Sequence, residues 1–432
     1  MYFKEIQKLL DYLIYILYTY TVLHFNLSMN YSYQIKDLDS LIKQYFGDAV
    51  NLINYEAKPL TSKGENYGSE MLDLEMKLER NDNIQYTLKV VAKMCPPNEM
   101  LKEVFDTAVT FKKEINAYNT VLPTLLKFQE ENCGKTCEKI YAECFASRFS
   151  LNSNSDVDDD AIILLENLKL SQYDVANRME GFSLDQTELV LEALSTLQAV
   201  PIALKMKNPD LFNSNILSHL SRNRIFDIVD AETENVDVDF VLQTAEADER
   251  CKIYKYRIDE AMRTGLKNHR EFIGREPYAT ISHNDFWVNN IMLKSNERKC
   301  KIVDFQLMDY DSCVNDLLFF IFTSVQEDVL NENLDYLIRF YYDELLRKLT
   351  ELKCDTKLFT FDSFMKEVDF YARNKQFYHI MVMLRLVFAI KEKTKTIREV
   401  TMEDFSSNDR VSPECTRRVI TTILHFVKNN WI

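Results

Sequence analysis

The chain has 432 residues, 46% of them hydrophobic, and a formal net charge of −15 at pH 7. That length supports two or three ordinary domains or one two-lobed enzyme with a substantial core. The acidic balance excludes a protein whose surface as a whole neutralises nucleic-acid phosphates, although it leaves room for a local basic cleft. Nine cysteines, at positions 95, 133, 137, 144, 251, 300, 313, 354 and 415, are odd in number, scattered and free of any Cys-x-x-Cys pair. They read as reduced thiols in a cytoplasmic protein. Their one cluster, Cys133, Cys137 and Cys144, has no histidine nearby and is not read as a zinc site.

Residues 1–37 form an apolar extension. Leu9 to Leu27 is about as long as a membrane span, but Asp11 and His24 lie inside it. Lys4 and Lys8 ahead of an apolar run resemble a secretory signal, yet no small-residue cleavage site follows. The third reading is an extension upstream of Met29, before a region that starts near Leu38. Membrane contact through this segment is not favoured.

Residues 71 to 79 alternate strictly, with Leu72, Leu74, Met76 and Leu78 on one face and Asp73, Glu75, Lys77 and Glu79 on the other. A period of two predicts an antiparallel strand with one wet face. Arg80-Asn81-Asp82-Asn83 is turn chemistry, so Ile84 to Lys93 is the partner strand, stopped by Pro96-Pro97. Leu101 to Leu122 carries helical spacing and should end at Pro123. The Ser, Asn and Asp of Asn152 to Asp160 make a solvated loop before the apolar strand Ala161 to Leu165. Beyond Gly181 the pattern turns helical. Ser183 with Gln186 forms a capping box ahead of Leu184 to Leu204, and apolar-periodic runs recur at Asn315 to Leu349, Phe361 to Lys391 and Cys415 to Val427. The expectation is an α+β fold of two lobes. A small N-terminal antiparallel-sheet lobe covers 38–166, a large, mostly helical C-terminal lobe covers 167–432, and the hinge lies near residues 164 to 170.

The chemistry is concentrated in Ile281-Ser282-His283-Asn284-Asp285-Phe286-Trp287-Val288-Asn289-Asn290 and Lys301-Ile302-Val303-Asp304-Phe305-Gln306. Phosphoryl transfer from ATP asks the protein for a carboxylate to receive a hydroxyl proton and for oxygen ligands to magnesium. Asp285 is the candidate base, and Asn290 and Asp304 are the candidate metal ligands. Ile291 to Leu293 and Lys301 to Val303 read as short strands joined by Ser295-Asn296-Glu297-Arg298, a hairpin that would fold Asp304 back beside Asn290. Each residue alone is ordinary turn or core chemistry. The joint order His-x-Asp-x-x-x-x-Asn followed by Asp-Phe is what points to a kinase.

Gly64-Glu65-Asn66-Tyr67-Gly68-Ser69 stands just before the first clear strand, where backbone N–H groups would cover phosphates. The chain has only 7 glycines, and two of them fall here within five residues. Gly64, Asn66, Gly68 and Ser69 are therefore candidate nucleotide-binding positions, with a plain turn as the alternative. Lys93, in Val91-Ala92-Lys93, would reach the phosphates, with Lys89 on the same face as a rival. Glu114 lies on the following helix where an ion-pair partner for that lysine belongs; otherwise it is a surface glutamate beside Lys112 and Lys113. Glu166-Asn167-Leu168 follows the strand and would offer backbone groups to adenine at Glu166 and Leu168. Asp316 opens a helix; it could accept hydrogen bonds from the catalytic-loop backbone or simply sit in the first turn with the favourable dipole, and the structural role is the favoured reading.

Taken together these residues resemble the ecdysteroid kinase-like family of insects, also called CHK kinase-like, relatives of choline and aminoglycoside kinases. The resemblance covers about residues 38 to 400. It rests on Gly64 to Ser69, Lys93-x-x-Pro96, Phe111-x-x-Glu114 running to Val121-Leu122-Pro123, Leu165-Glu166-Asn167-Leu168, His283-x-Asp285-x-Trp287-x-Asn289-Asn290 and Asp304-Phe305-Gln306. It implies a protein-kinase-like fold and ATP- and Mg2+-dependent phosphorylation of a hydroxyl on a small molecule, with an ecdysteroid or a xenobiotic alcohol as acceptor and a detoxification role. Two positions depart from the family: Asn284 stands where glycine is usual and Gln198 where histidine is usual. The alternative they leave open is a weakly active pseudokinase that binds nucleotide as a scaffold. The acceptor pocket would be built by the helical lobe; Trp287, Tyr310 and Phe319-Phe320-Ile321-Phe322 are nearby, though core is the better reading of the aromatic run.

Overall fold

The alternation read in residues 71 to 79 builds the first layer. The computed structural model of the chain describes residues 33–60, 68–152, 156–220, 231–269 and 274–432. Strand β1 spans Val50–Pro59, β2 Glu70–Arg80, β3 Gln85–Met94, β4 Cys144–Arg148 and β5 Ile162–Glu166, in the order β1-β2-β3-β5-β4, and every neighbouring pair is antiparallel. Leu72, Leu74, Met76 and Leu78 are fully buried. They pack with Val90, Ala92, Ile162 and Leu164 against Leu38, Leu41 and Ile42 of helix Leu38–Phe46. Each such side chain contributes about 1.5–3 kcal/mol by leaving water. Val91, Ile163 and Leu165 point through the other face into the main core, where Phe111 and Ile115 meet them. Strand β3 is thus buried on both faces at its C-terminal end, which is what carries Lys93 inside.

Strand β1 has no counterpart in the sequence-based expectation. Its burial pattern is that of a mostly exposed edge strand, so apolar alternation never develops. The helix expected to end at Pro123 does not. It runs from Thr107–Asn116 through a π turn at Ala117–Val121 into Leu122–Cys133. Proline lacks the N–H that a regular turn requires, and the widened turn before it absorbs that loss. Before it lies a separate short helix, Glu99–Val104.

In the C-terminal lobe, Ser183 and Gln186 form the anticipated capping box and start helix Leu184–Lys207. This helix is long and apolar enough to cross a membrane, but it is largely buried as a core helix. It packs against Glu327–Glu351. The run expected from Asn315 to Leu349 is two helices, Cys313–Ser324 and Glu327–Glu351, because the chain turns through Val325 and Gln326. Every residue of Cys313–Ser324 is buried, so the aromatic run Phe319 to Phe322 is core. Helices Ala231–Ala247 and Lys255–His269 were not anticipated; Phe361–Tyr371 continues through a π turn at Ala372–Gln376 into Phe377–Val387. The possible membrane segment Leu9 to Leu27 lies outside the described residues.

Candidate active site

Five further short strands frame the cleft floor: β6 Asp174–Val175, β7 Ala279–Ser282, β8 Ile291–Lys294, β9 Lys299–Ile302 and β10 Asp309–Ser312. Strands β8 and β9 form the anticipated hairpin, with Ile291 opposite Ile302. Arg298, in left-handed backbone, closes its turn. The pairing continues one step further, since Val303 N–H donates to the Asn290 carbonyl at 3.0 Å. Asp304 is thereby brought back beside Asn290, and its own left-handed backbone (φ 66°) turns the chain sharply at that point.

Asp285 and Asn290 are joined directly. The Asn290 Nδ2 donates to the Asp285 carboxylate at 2.7 Å and to its carbonyl at 2.9 Å. That fixes the amide so that its oxygen is the atom left for a cation. Across the cleft, Lys93 Nζ lies 2.5 Å from Glu114 Oε2 and 2.8 Å from Asp304 Oδ1. Lys93 and Glu114 are 2% and 0% exposed, and Asp304 is 17% exposed, so the ammonium is sealed while one carboxylate faces the cleft. The rival Lys89 pairs with Glu75 on the surface at 2.7 Å. Lys93 is the lysine that joins the lobes.

One ammonium here is shared by two carboxylates, with Asp285 close by, and the electrostatics follow. Burial, reinforced by the Asp304 charge, pushes the Asp285 carboxyl up to about 7 against the hydrogen bond from Asn290. Burial likewise pushes Glu114 up to about 7, with Lys93 opposing. Burial works against the Lys93 charge, but Asp304 and Glu114 outweigh it and its pKa is raised. His283 is buried and shifted downward by desolvation, hence a neutral imidazole at ordinary pH. Its Nε2 meets the Val303 carbonyl at 3.0 Å, and the Asp285 N–H approaches its Nδ1 at 3.3 Å. His283 therefore ties the loop to the strand before Asp304.

Asp316 corrects the expectation of a merely local role. Its buried carboxylate accepts the His283 N–H at 2.7 Å, the Asn284 N–H at 2.9 Å, the Ser282 hydroxyl at 2.8 Å and the Gln198 Nε2 at 3.0 Å. It holds the 283–284 backbone and the Ser282 side chain. Gln198, at the position of the second family departure, fills its place in that network and also accepts the Tyr341 hydroxyl. Asn284 sits in left-handed backbone at φ 62°, the region glycine favours and asparagine tolerates. Its Nδ2 donates to the Leu307 carbonyl at 3.1 Å and its Oδ1 accepts from Asn315 at 2.8 Å. Asn315, Gln376 behind it at hydrogen-bond distance, and Lys113, which donates to the Met308 carbonyl at 2.7 Å, were not anticipated. They lie on three different helices and share no spacing that a sequence reader could use.

Of the proposed nucleotide positions, Gly64 and Asn66 fall outside the described residues, whereas Gly68 and Ser69 are buried at the entry to β2. The Glu166 side chain is occupied locally, accepting from Ser171 Oγ at 2.8 Å and from Glu143 N–H at 3.3 Å. The Leu168 carbonyl is taken by the N–H groups of Ser171 and Tyr173. On Leu168 it is the N–H that a ligand base would use. Trp287 and Tyr310 are half-buried beside the main core. No cluster of three His, Cys, Asp or Glu side chains suited to a metal occurs among the described residues, and all nine cysteines are free thiols. One carboxylate, Asp304, beside one amide oxygen, Asn290, is a donor pair that fits magnesium, which takes one or two carboxylates and completes its shell with substrate phosphates and water.

An antiparallel-sheet lobe over a helical lobe, with this charged cluster between them, defines a two-lobed protein-kinase-like fold. The sequence matches the ecdysteroid kinase-like family over residues 63–354, and the chain belongs to that family. Similar solved structures include a spectinomycin phosphotransferase in complex with ADP and spectinomycin (12% identity, covering 90% of this chain and 99% of that one, TM-score 0.43). A microcompartment-associated aminopropanol kinase has 7% identity, coverage of 88% and 94%, and a TM-score of 0.43. For a Plasmodium vivax ethanolamine kinase the values are 10% identity, 89% and 85%, and 0.36. No protein with a curated description matches the sequence.

Proposed function

We propose that the protein is an ATP-dependent small-molecule kinase that transfers the γ-phosphoryl group to an alcohol hydroxyl, with an ecdysteroid or a xenobiotic alcohol as the acceptor class. The observation that carries this reading is the bridge from Lys93 to both Glu114 and Asp304, set beside the Asn290–Asp285 pair. It joins the two lobes at one charged point with the groups phosphoryl transfer requires.

In this mechanism Lys93, oriented by Glu114, holds phosphate oxygens, and the backbone of Gly68 and Ser69 lies over them. The Leu168 N–H receives the adenine edge. Asp304 and the amide oxygen of Asn290 would hold magnesium, which supplies charge neutralisation to the phosphates. Asp285 orients the acceptor hydroxyl and takes its proton as the oxygen bonds to the γ-phosphorus and the bond to the β-phosphate oxygen breaks. Asn290 keeps the carboxylate aimed, and His283 and Asp316 keep the loop in place. The test is consumption of ATP by purified protein given magnesium, ecdysone and a panel of alcohols, with the phosphorylated product identified by mass spectrometry. Nucleotide binding without transfer to any acceptor would favour a scaffold instead. The left-handed backbone at Asn284 supports the active reading, because asparagine there preserves the turn glycine would make.

A further inference from the structure

The turn from Asp304 to Met308 is anchored from several directions. Asp304 is bound by Lys93, the Leu307 carbonyl by Asn284, and the Met308 carbonyl by Lys113, while Phe305 packs edge-on against Tyr118 at 5.7 Å. Gln306 projects from this fixed turn and is itself only 6% exposed. Its carboxamide fills the space where a side chain on Gly68 would stand: a Cβ there would come within 2.5 Å of Gln306 Nε2. Gly68 is not in left-handed backbone, so its lack of a side chain answers to this contact and not to a turn.

We propose that Gln306 is a positioning residue for nucleotide binding: its carboxamide seats the Gly68–Ser69 backbone on the same turn that presents Asp304. The inference rests on the kinase reading for its functional consequence and on the packing alone for its structural one. An added methyl at 68 would push the buried Gln306 amide from its seat, and the anchored turn beneath it leaves the side chain alone to give way. The separation between the phosphate-covering backbone and the metal-ligand carboxylate is then set by one side chain. A shorter residue at 306 lets the two drift apart, and a larger one at 68 forces them apart.

A double-mutant cycle of Gly68→Ala and Gln306→Ala tests this, read by calorimetric affinity for a non-hydrolysable ATP analogue with magnesium and by thermal unfolding of the free protein. Gly68→Ala should weaken nucleotide binding about tenfold, the scale of an overpacked contact. Gln306→Ala should weaken it severalfold, leaving the KM for the acceptor unchanged. The double variant should bind better than Gly68→Ala alone, because the obstructing amide is gone. Losses that simply add overturn the proposal. Should Gly68→Ala not fold, Gln306→Ala alone decides the matter through the split between nucleotide and acceptor KM: an unchanged nucleotide KM overturns it. If the parent protein binds no nucleotide, the kinase reading fails. Recovery of the melting temperature in the double variant would then still uphold the packing contact, and its absence would overturn that too.

Discussion

Replacing Lys93 by methionine removes a cation that two carboxylates share, and its cost can be worked from the geometry. Glu114 is 0% exposed and loses the ammonium 2.5 Å away. Breaking one side of a buried pair costs about 3–5 kcal/mol. The protein has a cheaper route, because Glu114 already sits near 7 and would take up a proton. In the folded variant its pKa lies still further above the unfolded value of about 4.3. Stability tied to that group is therefore fully present at low pH and is lost as pH rises towards the folded pKa. Each pH unit within that interval adds about 1.4 kcal/mol. Relative to the parent, whose own Glu114 ionises near 7, Lys93→Met should be only mildly destabilised at pH 6 and a further ~1.4 kcal/mol less stable at pH 8. Adding Glu114→Gln should recover most of the loss at pH 8 without restoring nucleotide affinity, since no cation faces the phosphates. Urea unfolding at the two pH values, with nucleotide titration, measures both. A double variant no more stable than Lys93→Met at pH 8, or one that binds nucleotide like the parent, would refute the reasoning.

Asp285→Asn should lower kcat by several orders of magnitude while leaving nucleotide affinity nearly intact, as steady-state kinetics beside calorimetry would reveal. Because the Asp285 carboxyl is pushed up to about 7 and must be ionised to receive a proton, kcat/KM with nucleotide as the varied substrate should fall on the acid side of that value; a flat profile to pH 5 would remove it as the base. Asp316→Ala orphans the buried backbone N–H groups of His283 and Asn284, at about 1–3 kcal/mol each, so denaturant unfolding should show a loss of at least about 2 kcal/mol. At position 284, alanine should be less stable than glycine by about 1 kcal/mol, because left-handed backbone penalises a Cβ that cannot hydrogen-bond; equal melting temperatures would contradict the strain.

What was legible in the amino-acid sequence was whatever depends on neighbours along the chain. Alternation in residues 71 to 79 specifies β2 because a strand turns every second side chain to the same face. The spacing of Asp285, Asn290 and Asp304 predicts their convergence because one hairpin separates them, and a hairpin's geometry is local. The capping box at Ser183 and Gln186 was readable for the same reason. Edge strand β1 was not, since exposure removes the pattern that would betray it.

The tertiary structure alone decided which polar residues meet. Lys93 and Asp304 are 211 positions apart, and no periodicity links them. Glu114, directly after two lysines, read equally well as a surface residue until packing buried it. For Asp316 the sequence left a first-turn role and a catalytic-loop acceptor both open, and folding decided for the second by bringing the His283 and Asn284 N–H groups onto it. Burial also sets the charge states, because a carboxyl group's affinity for its proton depends on the water and the charges around it. The chain order names the groups that do chemistry, but only folding sets how far apart they stand and how strongly they are charged.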